Sequence, residues 1–202
     1  MKQQIPPPGE DPARDARLAT YRDLLLRWNA TINLVAARTA TDVDSRHIAD
    51  SLQLLPLVPP AGPIADLGSG AGLPGIVLAA AMPEREVHLV ESDKREAAFL
   101  IEAAGTLKLT QVRVHATRIE QARLPPLAAA TARALAPVAT LLALAVRFLA
   151  PGGVMILPKG RTAEQELTNA AADWHFTAER FDSRTDPEAT IFRLSEISRA
   201  GH

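Results

Sequence analysis

No cysteine occurs among the 202 residues. This excludes disulfide scaffolds, Cys-ligated zinc, iron–sulfur centres and every mechanism that needs a thiolate nucleophile. Aromatic residues make up only 4%, too few for a platform that stacks single-stranded bases. No charge sign dominates, with 22 Lys+Arg against 23 Asp+Glu and a formal net charge of −1. Long hydrophobic runs are missing too. The start, MKQQIPPPGEDP, has no apolar region of a secretory leader, and the greasiest stretch, Leu127 to Val146, is broken by Arg133 and Pro137. The expectation is a soluble cytoplasmic protein without a membrane span. What is present, 47% apolar and 22% charged residues, suffices for one domain with a sizeable core and a small extension.

The near-neutral total conceals an uneven distribution. Between Gln121 and Ala163 there is no Asp or Glu, while Arg123, Arg133, Arg147, Lys159 and Arg161 remain. Buried strands and a helix explain most of that scarcity, and a local anion-binding face is the alternative. Arginine supplies 18 of the 22 cations, and its planar fork suits bidentate phosphate contacts.

Residues 1–10 are Pro-rich and polar, and read as a flexible tail. Residues 11–58 read as an N-terminal helical cap. Asp11-Pro12 is a helix start, followed by Leu18, Tyr21, Leu25 and Trp28 at helical spacing. A second helix is expected from near Thr41, with Val43, Ile48, Leu52 and Leu55 on one face, an Arg46–Asp50 pair at i,i+4, and a stop before Pro56. The segment Pro59–Pro63 joins this cap to a main domain over 64–198. There, short apolar runs alternate with helical patterns, the mark of βα units and a mostly parallel sheet. Strands are predicted at 64–67, 87–90, 112–115, 127–132 and 154–157, and helices at 72–81, 94–104, 137–149 and 163–173. The fourth strand, poor in β-branched residues, rests only on its place in the alternation. HFTAERF and ATIFRLSEI then read as a terminal hairpin that adds an antiparallel strand.

The segment from Ile64 to Ile76 carries most of the chemistry. Four glycines (Gly68, Gly70, Gly72, Gly75) fall in eight residues where a strand ends and a helix begins, a turn that lets a ligand approach the backbone and meet helix N–H groups. Gly70-x-Gly72-x-x-Gly75 satisfies a dinucleotide fingerprint, which alone says little. Asp66-x-Gly68-x-Gly70-x-Gly72 instead matches the motif of S-adenosylmethionine-dependent methyltransferases. In that register Asp66 repels a pyrophosphate and welcomes an α-ammonium group. Glu91, at the end of the second strand, stands where an acid can take both ribose hydroxyls. Ile119-Glu120, after the third strand, can lie along an adenine.

Taken together, Trp28-Asn29, Asn33-Leu34, Arg46-His47-Ile48-x-Asp50-Ser51, Asp66-x-Gly-Ser-Gly-x-Gly-Leu-Pro-Gly-Ile76, Ala132-Arg133-Ala134 and Lys159-Gly160 resemble the RsmG (GidB) family of 16S ribosomal RNA guanine-N7 methyltransferases. The resemblance runs from about Leu18 to about Leu194. It implies a seven-stranded Rossmann-like class I methyltransferase sheet with a small N-terminal helical cap. It also implies S-adenosyl-L-methionine as cofactor, and 16S rRNA or the 30S particle as partner, with methylation near the decoding site. Carried over by motif, the cofactor contacts fall on Gly68, Leu73, Ile119, Glu120 and Arg133, beside Gly70 and Glu91 from the residue reading. The chain departs from the family at Ala132, where many members have serine. It departs again at Glu91-Ser92-Asp93-Lys94-Arg95, where many have Asp-Ser and then a Lys-Arg pair one residue later.

Two absences favour a ring-nitrogen target, and they leave a small-molecule methyltransferase open as the alternative. Pyrimidine C5 methylation usually proceeds through a Cys adduct, and exocyclic-amine methylases carry an Asn/Asp-Pro-Pro-Tyr/Phe motif where this chain reads Ala132-Arg133-Ala134-Leu135-Ala136-Pro137. Guanine N7 has a lone pair and no proton, so its attack needs no general base. Arg133 is the expected active-site residue, holding either the cofactor carboxylate or a nucleotide phosphate. Lys159 is the next candidate for an RNA contact, and His47 for stacking on a base. No metal and no stable protein partner are expected. The rival readings are a nicotinamide-dependent oxidoreductase, which lacks an identifiable hydride-transfer partner, and a non-catalytic RNA-binding module on a methyltransferase fold.

Overall fold

A computed structural model describes residues 2–36 and 42–201. Seven strands form one sheet: β1 (Ile64–Leu67), β2 (Val87–Glu91), β3 (Val112–Ala116), β4 (Leu127–Thr131), β5 (Leu149–Lys159), β6 (Trp174–Asp182) and β7 (Thr190–Arg199). Their order is β3-β2-β1-β4-β5-β7-β6. The first five run parallel, and β7 is antiparallel to both of its neighbours. Every residue of β1 and β2 is buried, as parallel strands covered on both faces must be.

The helices are α1 (Pro12–Ile32), α2 (Ala49–Leu52), α3 (Gly75–Ala81), α4 (Lys94–Thr106), α5 (Val138–Ala145) and α6 (Ala163–Ala170). Asp11 caps α1 by accepting the Arg14 amide at 2.9 Å, and Asp93 caps α4 by accepting the amides of Arg95 and Glu96. One core lies between the sheet and α1, α3 and α4, and includes Tyr21, Leu25, Ile76, Leu89 and Phe99. The other lies beneath α5 and α6, with Leu127, Leu142, Leu157 and Phe192. Tyr21 joins the first helix to the glycine loop, its hydroxyl donating to the Ala71 carbonyl at 2.5 Å. Among the described residues no helix is long and apolar enough to cross a membrane.

Several elements differ from their sequence expectation, each for a local reason. The predicted helix start at residue 72 moves to Gly75, because Gly68, Gly70 and Gly72 have φ of +71°, +52° and +82° and hold the chain in a turn. The fifth strand begins at Leu149 rather than 154, passing through Gly152 at φ +76° with a register irregularity against β4. The helix before it therefore ends at Ala145, and a single tight turn, Val146–Phe148, completes it. The Ala-rich fourth strand does form, flanked by β1 and β5; pairing on both edges outweighs its poor propensity.

The start expected near Thr41 lies outside the described residues. From Asp44 to Ile48 the chain makes a wide π-type turn before α2. The opening segment, expected to trail loosely, is docked. Gln3 bridges to Phe181, with its amide on the Arg180 carbonyl at 2.8 Å and its carbonyl taking the Asp182 amide at 3.0 Å. Ile5 is buried beside it, and that apolar contact holds a segment whose composition is otherwise polar.

Candidate active site

The glycine loop is tied to the end of β2. The amides of Gly68 and Ser69 donate to the Val90 carbonyl at 2.9 and 3.0 Å. The Glu91 carboxylate then accepts the Gly70 amide at 2.9 Å on one oxygen and the Asp93 amide at 2.8 Å on the other. A Cβ added at Gly70 would meet only Glu96 Oε2, at 3.9 Å, so open space lies in front of that residue. At Gly68, by contrast, a Cβ would sit 2.8 Å from the Leu135 side chain.

Asp66 departs from its expected role. It is 1% exposed, and its Oδ2 accepts the Gly75 amide at 2.9 Å. Its Oδ1 has no hydrogen-bond partner among the described residues. Burial pushes its pKa up to about 7, against the lowering effect of the Gly75 amide and Arg133. The carboxylate therefore braces the helix start from within instead of facing a ligand. Leu73 is likewise buried, and its side chain belongs to the first core. Ala132, at the family's serine position, is 1% exposed and packs in the second core.

Two cavities lie at the carboxyl ends of the strands. The first, of about 440 Å³, is bounded by Gly68, Gly70, Glu91, Ile119, Glu120 and Arg133. The second, of about 500 Å³, includes Arg46, Asp50, Arg133, Lys159, Glu166 and Asp186. Both share the wall Arg133–Ala136, so Arg133 stands at their junction. The structure thus brings Gly68, Gly70, Glu91, Ile119, Glu120 and Arg133 around one cavity, as the sequence reading grouped them, and leaves Leu73 out.

Arg133 Nη1 lies 3.1 Å from His47 Nδ1 and 3.6 Å from Asp50 Oδ2. A guanidinium only donates, so His47 accepts at Nδ1 and carries its proton on Nε2. Burial, and then the Arg133 charge, hold the His47 pKa below the usual histidine value. The expected Arg46–Asp50 pair is replaced: Arg46 reaches Asp42 at 3.8 Å, while Asp50 turns to Arg133. Arg46 and Asp42 are themselves an i,i+4 pair, so Arg46 keeps helical spacing and pairs one turn earlier than expected. Lys159 is nearly buried, with its ammonium 2.9 Å from Glu166 and donating to the Ala136 carbonyl. Arg133 and Lys159, from the acid-free stretch, are therefore matched by acids from outside it.

Sequence reasoning missed several participants. Arg147 donates to the Ile119 carbonyl at 2.7 Å and steadies the turn that borders the first cavity. Glu96 lines that cavity, and Gln53 sits buried behind Asp50. None of these three contacts left a signal in the sequence, since Gln53 lies off the apolar face read for its helix and caps its end.

The profile of a protein family described as rRNA small subunit methyltransferase G matches residues 14–186. Ribosomal RNA small subunit methyltransferase G of Granulibacter bethesdensis is 53% identical over 196 residues, covering 96% of this chain and 91% of its own. The protein of the same name from Rhodospirillum centenum is 54% identical over 186 residues, covering 92% and 85%. Among solved structures, an O-methyltransferase from Bacillus cereus in complex with SAH superposes with a TM-score of 0.60 at 16% identity, covering 88% of this chain and 91% of that one. M. jannaschii TYW2 in complex with AdoMet gives 0.60 at 15% identity, with 76% of each chain covered. At such identity these two show a shared fold.

Proposed function

The chain belongs to the rRNA small subunit methyltransferase G family, and from that premise we propose that it methylates N7 of a guanine in 16S rRNA near the decoding site, using S-adenosyl-L-methionine. The observation that carries this reading is the pair of cavities meeting at Arg133. One has the features of a nucleoside site, and the other is open to a base.

The first cavity fits the cofactor. Each Glu91 oxygen accepts one backbone amide, which leaves a further lone pair on each for a ribose hydroxyl. Gly70 leaves its approach open, and the turn Ile119–Gln121 offers an apolar side chain and a carboxylate to an adenine. When bound, the cofactor would supply a methyl group on a sulfonium, open to in-line attack at the methyl carbon with the neutral thioether as the leaving group. The chain's own residues then have a positioning task. Arg133, at the junction, holds an anionic group of the cofactor or of the target nucleotide so that N7 stays aligned. His47 bonds Arg133 beside the second cavity, and Lys159 lines that cavity with its charge balanced by Glu166. No side chain is asked to remove a proton, because N7 carries none. The substrate is 16S rRNA, free or in the 30S particle, in the cytoplasm where ribosomes are built.

Mapping N7-methylguanosine in 16S rRNA with and without this protein tests the reading directly. Loss of a single modified guanine on deletion, restored by the purified protein with S-adenosylmethionine, is the expected result. Calorimetric titration separates the rivals: S-adenosylhomocysteine should bind and NAD(H) should not.

A further inference from the structure

Arg133 does not hold its pose alone. It follows β4 and precedes Ala134, whose φ of +53° turns the chain sharply. Its Nη1 meets both His47 and Asp50, and Asp50 is itself held. Asp50 Oδ1 accepts the Thr185 hydroxyl at 2.8 Å and the Gln53 side-chain amide at 2.8 Å. Gln53 is 2% exposed and bonded at both ends. Its Oε1 accepts the Arg184 amide at 2.8 Å, and its Nε2 also reaches Ser183 Oγ at 3.2 Å. A buried amide is costly unless its bonds are met, and these are met by the turn between β6 and β7.

We propose that Asp50 is a positioning residue for methyl transfer. It aims the Arg133 guanidinium at the junction of the two cavities, and Gln53 sets Asp50 by tying it to the β6–β7 turn. The inference rests on the proposed function, because it gives Arg133 a task in that reaction. A carboxylate beside an anion-binding arginine weakens the arginine's attraction for anions, so charge alone gives no reason for Asp50 to be there. Orientation does. With Nη1 engaged, Nε and Nη2 have no hydrogen bond among the described residues, and this leaves the rest of the fork for a ligand.

Asp50→Asn separates aim from scaffold. Its amide oxygen still accepts from Gln53 and Thr185, but its NH2 faces a guanidinium that also only donates. The melting temperature should hold while kcat on 30S particles lacking the methyl group falls about ten- to a hundredfold, with the KM for RNA little changed. In an Arg133→Ala background the same substitution should cost nothing further. Full turnover of Asp50→Asn with Arg133 present, or an added loss without Arg133, overturns the assignment of Asp50 alone. Wild-type turnover in Arg133→Ala by itself overturns the reading of the site, and Asp50's role with it. Should Asp50→Asn fail to fold, Thr185→Val removes one of the two bonds to Asp50 Oδ1. Its smaller kcat loss should likewise vanish in Arg133→Ala, and a loss that persists there counts against the proposal.

Discussion

Gly70 and Glu91, 21 residues apart in sequence, are joined by a 2.9 Å bond from the backbone amide of one to the carboxylate of the other. The loop and the acid are therefore one unit, and a change at either is felt by both. In the cleft proposed for the cofactor, the backbone amides thus fix the carboxylate and leave a lone pair on each oxygen.

Replacing Gly70 tests the open approach in front of the loop. Gly70→Val should keep the fold, with a cost of about 1–2 kcal/mol for a side chain at positive φ, and should abolish S-adenosylhomocysteine affinity. Gly75→Val is the contrast, since its Cβ would lie 2.3 Å from Leu89 and 2.7 Å from Asp66, and it should fail by melting. Calorimetry and thermal denaturation on the two variants check both outcomes. Retained affinity in folded Gly70→Val would remove the loop from the site.

Glu91→Gln should weaken cofactor binding more than it slows saturated turnover. Its single amide oxygen cannot serve both backbone amides as the carboxylate does, and the charge-assisted pair of bonds proposed to the ribose hydroxyls, worth about 1.5–3 kcal/mol, is lost. These bonds act equally on ground and transition states, so the change belongs in the cofactor KM. A large kcat loss at unchanged KM would contradict the assignment.

Asp66 predicts a slope of stability with pH. Burial raises its pKa from 3.8 to about 7 in the folded chain. Between those values the native state binds more protons than the unfolded one, so the contribution is complete below about 4 and fades as pH rises through about 7. One proton accounts for at most about 1.4 kcal/mol per pH unit. Asp66→Asn should flatten this part of the curve, as denaturant melts at a series of pH values would show.

His47 predicts an acid limb in activity. A protonated imidazole cannot accept from Arg133, and it adds a like charge beside it, with Asp50, Asp42 and Arg46 the other charges facing it. Turnover at saturating substrates should fall as pH drops through the His47 pKa, which lies below the ordinary histidine value. His47→Gln keeps an acceptor and should lose the limb. If the limb persists in both His47→Gln and Arg133→Ala, it belongs to a true general base and counts against N7 as the nucleophile.

Much of the fold was legible because βα alternation and strand-end glycines are local signals. The positions of Gly68, Gly70, Glu91 and Arg133 around one cavity follow from their placement at strand ends. Asp66 misled because a strand-end acid in sequence says nothing of which way its side chain turns. The argument from its charge against a pyrophosphate lapses with its burial, and membership of the family decides the matter instead. Asp50 was read with its helical neighbour Arg46, and its true partner, Arg133, lies 83 residues on. Contacts of that kind, like the placing of β7 between β5 and β6, arise only when the sheet closes.

The docked opening segment has a consequence for solubility. β6 is an edge of the sheet, and an uncovered edge is a template for pairing with another copy. Gln3 occupies part of it, taking both a donor and an acceptor from the stretch Arg180–Asp182. The prolines at 6, 7 and 8 that follow have no amide to offer. Gln3 thus takes up pairing groups of Arg180 and Asp182 that a bare edge would offer to another copy.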